Sequence, residues 1–355
     1  MSEIGSGWAE PDVFTGPLFE ILKRHPKRIV FSEGEDPRVV QVAAEMVRLE
    51  IGIPILLGNK EKVRAMATKL GAKMDFVKVI DPNTADDLDL FTELLIRIEK
   101  LKGINLANPR ETVSRSHFFA AMMIQYGQAD AMVGGNINLP ATIHRALVQL
   151  VKPMPGVSHP FTAAIMVSEK LPHFGPDGVL FLGDCGITDI PTVSELTNIA
   201  VETGRLAHHY VGRRVRVAML SHSSMNSAAS DSAARVRAAT DAARALVSHN
   251  RYEIEIDGEL QADVALDPAA AEVKLPQMVN RPPADVLVFP NLDAAHISMK
   301  LLRHVGGATK YGQLVLGLTR PAAQVPRTVT PRSLLGTAAA VGVEAIKYHE
   351  MFPHG

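Results

Sequence analysis

The chain has 355 residues, enough for two domains, with 46% hydrophobic and 21% charged residues. That composition can bury a sizeable core and excludes a disordered chain. A formal net charge of −1 and the lack of any Lys/Arg-rich run exclude electrostatic binding of nucleic acid or of a membrane surface, although local arginines and helix N-termini can still hold an anion.

The N-terminal stretch MSEIGSGWAEPDVF is acidic and lacks the apolar run of a signal peptide. No stretch approaches the roughly 18 apolar residues of a membrane span. Cys185 is the single cysteine, so no intrachain disulfide can form, which suits a reducing compartment. A cytoplasmic protein is expected.

In chain order, Val-, Ile- and Leu-rich runs alternate with longer helical patterns. Arg28–Ser32 predicts a strand, and Asp36-Pro37 supplies the cap and first position of a helix over Arg38–Leu49. Strands at Ile53–Leu57, Phe76–Ile80 and Asp130–Val133 are separated by helices at Lys60–Leu70, Asp87–Lys100 and Ser114–Tyr126. A helix at Ala141–Leu150 follows, and then Val151–Val157, where two prolines and a glycine break the pattern. Beyond it come strands Thr162–Val167 and Gly178–Leu182, then the helix Val193–Tyr210, opened by the capping-box pair Thr192 and Glu195. Strands Val215–Leu220, Tyr252–Ile256, Ala284–Phe289 and Gln313–Leu318 alternate with helices Asp231–Leu246, Ala294–His304 and Ser333–Tyr348.

Strands apolar on both faces, alternating with helices, predict an α/β fold: two α/β/α domains with mostly parallel sheets. The expected first domain is residues 1–155 plus 306–355, and the second is residues 156–305. The second crossing is placed near Val305-Gly306-Gly307, so that the last strand and helix return to the first domain.

Several strand ends carry candidate chemistry, because ligands in open α/β sheets gather there. Ser32-Glu33-Gly34-Glu35-Asp36-Pro37-Arg38 is either a site or a capped helix with solvated charges. It is not a dinucleotide fingerprint, and no Walker-type phosphate loop occurs. Asp130-Ala-Met-Val-Gly-Gly-Asn-Ile-Asn138 offers backbone amides at Gly134, Gly135 and Asn136, or forms an ordinary tight turn. Arg145 follows, as a phosphate ligand or a solvated arginine. Cys185, after Asp184, is read as a buried small hydrophobe rather than a nucleophile. The 13 histidines show no zinc-type spacing, so no metal site is expected. Ser221-His222-Ser223-Ser224 either binds phosphate or adenine or caps the next element. Asp257-Gly-Glu-Leu-Gln-Ala-Asp263 places three carboxylates together, for Mg²⁺, for acid–base work or as an acidic turn.

In this order the pieces resemble the phosphate acetyl/butyryltransferase family, also called phosphotransacetylases. The matching stretches are Glu33–Arg38, Asp130–Gly135, Arg145–Gln149, Asp184–Leu196, Arg216–Ser221, Asp257–Gln261, Phe289–Leu292 and Gln313–Arg327, and they span about residues 20–345. The resemblance implies two α/β/α domains with a CoA cleft between them, a layout shared with isocitrate dehydrogenases, commonly in a homodimer. It implies exchange of an acyl group between acetyl-CoA and phosphate, with no further cofactor. Arg327 and Arg145 are the implied phosphate ligands. Gly134, Gly135, Asn136, Ser221, Ser223, Asp257 and Asp293 are the implied CoA-binding residues.

The sequence departs from the family where the thiol should be assisted. Pro326 stands at the family's serine and Ser333 at its aspartate, while Glu99 falls where a further arginine is expected. Tyr311–Arg327 is similar to the phosphotransacetylase-like C-terminal domain of multidomain malic enzymes, which is implicated in acetyl-CoA regulation. Two readings follow. One is an acetyl-CoA-sensing module with weak or no transfer, suggested by Pro326, Ser333 and Glu99. The other is a working phosphate acyltransferase in which Arg145 and Arg327 hold phosphate and Asp257 or Asp263 replaces the lost base. An isocitrate-type dehydrogenase is a third, resting on fold analogy alone.

Overall fold

The computed structural model describes residues 8, 10–103, 107–171, 173–276 and 281–351. Contacts divide the chain into two compact units, Met1–Met154 with Leu318–Gly355, and Pro155–Gly317.

The first unit begins with α1 (Thr15–Arg24), β1 (Lys27–Phe31), α2 (Pro37–Arg48), β2 (Gly52–Leu57), α3 (Lys60–Leu70) and β3 (Lys78–Ile80). It continues through α4 (Leu88–Lys102), α5 (Pro109–Ser114), α6 (Ser116–Gln125), β4 (Ala131–Gly134) and α7 (Pro140–Leu150). Helix starts follow local chemistry. Asp36 caps α2 by accepting from the Arg38 amide, with Pro37 at the first helical position. Asn59 and Asn108 cap α3 and α5 in the same way. α6 carries apolar residues all around and is buried.

The second unit holds β5 (Phe161–Val167), β6 (Val179–Gly183), α8 (Val193–Val211), β7 (Val215–Leu220), α9 (Asp231–Asn250) and β8 (Ile254–Leu260). α10 (Ala262–Leu266), α11 (Pro268–Lys274), β9 (Val286–Val288), α12 (Leu292–His304) and β10 (Thr309–Leu316) complete it. The chain then returns to the first unit as β11 (Ala322–Gln324) and α13 (Pro331–Met351).

The first unit's strands lie in the order β3-β2-β1-β4-β11, all parallel. From β1 the chain winds outward through β2 and β3, then starts again on the other side with β4. The β1/β4 boundary is therefore a topological switch point, where open α/β sheets leave a crevice at the strands' carboxyl ends. The second unit's strands lie in the order β10-β5-β6-β9-β7-β8. β6, β9, β7 and β8 are parallel, whereas β5 is antiparallel to both β10 and β6. The pairing of β10 with β5 keeps residues 309–316 in the second unit, so the second crossing falls between Gly317 and Leu318 rather than near Gly306. β10 also begins before the Gln313–Leu318 run read from sequence, because Thr309 and Lys310 interrupt the apolar pattern.

One face of the second sheet buries Met166, Leu180, Leu182, Cys185 and Leu220 against α10, α11 and α12. Lys310 on β10 pairs with Met166 of this core and is only 8% exposed. Among the described residues no helix is long and apolar enough to cross a membrane.

Candidate functional site

In the first unit the switch point is tied together by a buried carboxylate. Glu33 follows β1 and is 7% exposed. Its Oε2 accepts from the amides of Gly135 and Asn136, both at 2.8 Å. Its Oε1 accepts from the amides of Ile137 and Asn138 at 3.1 and 2.6 Å, and from Asn138 Nδ2 at 2.7 Å. Successive amides converging on one anion form the kind of concavity that holds phosphate elsewhere, here filled by the chain's own side chain. The amides of Gly135 and Asn136, expected to approach a ligand, are thus engaged by Glu33.

The glycines are needed for packing. A Cβ on Gly135 would sit 2.5 Å from the Val325 carbonyl, at a φ of +104°. A Cβ on Gly134 would collide with Ser32 Oγ.

Arg38 knits a third segment to these loops. Its guanidinium donates to Asp36, to the Asn136 carbonyl at 2.8 Å and to the Arg327 carbonyl at 2.7 Å. Burial pushes the Asp36 carboxyl up, but hydrogen bonds from Arg38 outweigh it and hold that carboxyl below its ordinary range. Gly134, Gly135, Asn136, Pro326 and Arg327 are thereby brought into one cluster of strand-end loops. The Arg327 side chain is exposed, and so is that of Arg145 on α7, a helix that touches β11. Among the described residues neither guanidinium has an ion-pair partner. Ser333 lies in the first turn of α13, its amide donating to Thr330 Oγ1. Glu99 is buried on α4.

The second unit holds the remaining expected residues, and several have structural partners. Asp257 on β8 is 5% exposed, with Arg216 Nε at 2.8 Å and Arg281 at 2.8 Å. Asp263 faces Lys274 at 2.5 Å, and that contact holds its carboxyl below the ordinary range. Both carboxylates are thus engaged by neighbouring cations rather than turned to open space. Ser223 is fully buried and donates to Glu259 Oε1 at 2.8 Å. Ser221 Oγ accepts from the Ser223 amide at 3.2 Å. Asp293 is exposed in the first turn of α12, which Asn291 caps. Cys185 is buried, and burial pushes its thiol up strongly. Among the described residues no group of His, Cys, Asp and Glu is arranged to hold a metal ion.

Sequence reasoning missed Glu259 as an organising residue. Burial pushes its carboxyl up, but hydrogen bonds from Arg237, the Asn226 amide and Ser223 hold it down at about 2. It also left the role of Glu33 open, because an acidic run does not reveal which carboxylate turns inward.

The sequence matches the family model described as phosphate acetyl/butaryl transferase over residues 13–341. A phosphate acetyltransferase from Acetivibrio thermocellus is 31% identical over 332 residues, covering 94% of this chain and 98% of that protein. One from Thermoanaerobacterium thermosaccharolyticum is 33% identical over 330 residues, covering 92% and 98%. Among solved structures, a phosphotransacetylase from Streptococcus pyogenes gives a TM-score of 0.83 at 31% identity, covering 94% of this chain and 98% of that one.

Proposed function

Because the chain belongs to the phosphate acetyl/butyryltransferase family, we propose that it is a working phosphate acyltransferase, exchanging an acetyl group between CoA and phosphate. The observation that carries this reading is the near end-to-end match, at 31% and 33% identity, to proteins named phosphate acetyltransferase. It favours transfer over the sensing role suggested by Pro326, Ser333 and Glu99.

The first unit supplies support at the residue level. Phosphate needs cations that are not already neutralised, and Arg145 and Arg327 are exposed without ion-pair partners among the described residues. The Arg327 backbone is fixed by Arg38, so its side chain projects from a rigid loop. A guanidinium can meet phosphate oxygens bidentately and neutralise charge that shifts during transfer.

The test is acetyl phosphate formation from acetyl-CoA and phosphate, followed by release of the CoA thiol. Wild-type turnover is expected. Arg327→Ala is expected to lower kcat/KM by about 10²–10³. A wild-type chain that turns over neither acetyl-CoA nor acetyl phosphate sinks the reading.

A further inference from the structure

Lys310 in the second unit is a buried charge that neither strand-end cluster uses. It lies on β10 and is 8% exposed. β10 and β5 are antiparallel, and Lys310 is the register partner of Met166. Partners in such a ladder point to the same face, so the lysine stem enters the core that Met166 shares with Met299 and Leu302 of α12. Among the described residues no carboxylate pairs with its ammonium and no acceptor is hydrogen-bonded to it. A buried cation in that condition is costly, and either a partner or a loss of charge relieves it.

What faces the amine is positive. Lys300 and Arg303 on α12 both lie near enough to repel it. The Cys185 thiol acts the other way, but burial pushes that thiol up strongly, so it stays protonated near neutrality and supplies no negative charge. The same surplus reaches His296, one turn before Lys300. Burial lowers its imidazole, Lys300 and Lys310 lower it further, and Asp293 opposes them. Burial first, and then Lys300 and Arg303, bring the Lys310 ammonium down to about 8. At pH 7.4 about a fifth of its amines are then uncharged, against roughly one in a thousand for an ordinary lysine. The cluster thus offers a nucleophilic nitrogen with little access to solvent and positive charge beside it.

These features select the reagent. So little exposed surface favours a small, uncharged one, and cationic neighbours favour a product that is negative. An acyl group would leave a neutral amide that gives those cations nothing. Carbon dioxide meets both conditions. We propose that Lys310 takes up carbon dioxide as a carbamate whose negative charge is held by Lys300 and Arg303. The amine lone pair attacks the carbon of CO2, one C=O π pair moves onto oxygen, and the proton shed by nitrogen passes to water. One N–C bond forms, nothing leaves, and no oxidation state changes. A mispaired buried cation becomes an anion with two cationic partners, so uptake stabilises the folded chain over the unfolded one. Uptake at Lys310 needs no acyl transfer, so either can hold without the other.

The experiment exposes the full chain, prepared in CO2-free buffer at pH 8, to 13C-labelled bicarbonate in equilibrium with CO2, and records 13C NMR spectra. Wild type is expected to show a lysine carbamate resonance that Lys310→Arg lacks, since a guanidinium stays protonated. The terminal α-amino group can form a carbamate of its own, and that signal is expected in both. Ethylation with a trialkyloxonium salt traps the carbamate, and peptide mass spectrometry is expected to place it on Lys310 and not on exposed lysines. Lys300→Gln and Arg303→Gln are each expected to raise the bicarbonate concentration for half-formation about 3–10-fold. At matched ionic strength, bicarbonate is expected to raise the Tm of wild type and to leave that of Lys310→Arg unchanged.

A wild-type spectrum with no carbamate beyond that of the α-amino group overturns the proposal, as does a carbamate mapped to another lysine. Half-formation unchanged in both Lys300→Gln and Arg303→Gln overturns the assignment of these cations as its partners. Should Lys310→Arg fail to fold, Lys310→Met, which removes the charge and keeps an unbranched apolar stem, carries the same comparison.

Discussion

Glu33 in the first unit and Glu259 in the second occupy similar places and are satisfied differently. Both follow or end a strand, both are nearly excluded from water, and both tie neighbouring loops together. Glu33 is neutralised by four consecutive backbone amides and the Asn138 side chain. Glu259 is neutralised by an arginine, a serine hydroxyl and one amide. A buried carboxylate can therefore be held mainly by backbone amides, with one side-chain amide beside them, where the chain curls around it. In that arrangement the loop's shape depends on the carboxylate itself, whereas the Glu259 arrangement draws on side chains that can reorient.

The comparison can be broken by removing each carboxylate. Glu33→Ala strands the buried amides of Gly135 and Asn136, and is expected to cost about 3–5 kcal/mol in urea unfolding. Glu259→Ala frees Arg237, whose side chain is 35% exposed and can rehydrate, so the expected loss is smaller, about 2–3 kcal/mol. Equal losses would remove the distinction.

A pH series sharpens the second arm. The folded pKa of Glu259, about 2, lies below its ordinary 4.5. Its contribution is therefore complete above pH 4.5 and lost as pH falls toward 2. Glu259→Ala should lack that component of acid unfolding.

A third substitution probes a charge in the second unit with no carboxylate partner among the described residues. Burial, with nearby Lys300 and Arg303, pushes the Lys310 ammonium down to about 8, although the Cys185 thiol works the other way. Between that value and its ordinary 10.5, the unfolded chain binds more protons than the native one. Stability therefore rises with pH across this window, and below about pH 8 the full penalty applies. Lys310→Met is expected to stabilise the protein by roughly 1–3 kcal/mol near neutrality and to flatten its stability between pH 8 and 10.5. An unchanged alkaline slope would locate that titration elsewhere.

Much of the architecture was legible in the sequence because apolar runs and caps are local signals. Arg28–Ser32, Val215–Leu220 and the Thr192–Glu195 capping box are found close to where their patterns place them. β11 was not legible: it has three residues, and its partner β4 lies far away in sequence. The antiparallel setting of β5 and β10 was equally hidden, since strands buried on both faces look alike in either direction. At the candidate site, residue types could be read but commitments could not. Asp257 looked available until Arg216 and Arg281 converged on it, and Arg281 lies beyond α10 and α11 in the chain.

The detour of the chain through residues 155–317 has a consequence for biosynthesis. A ribosome that has finished α7 has delivered β1–β4 but not the strand that flanks β4, nor the long helix that packs on α1 and α2. The inserted segment emerges as a continuous piece and can consolidate first, while the N-terminal portion waits with an open sheet edge. On that route assembly order reverses translation order, and the waiting edge is the one open to pairing with other chains.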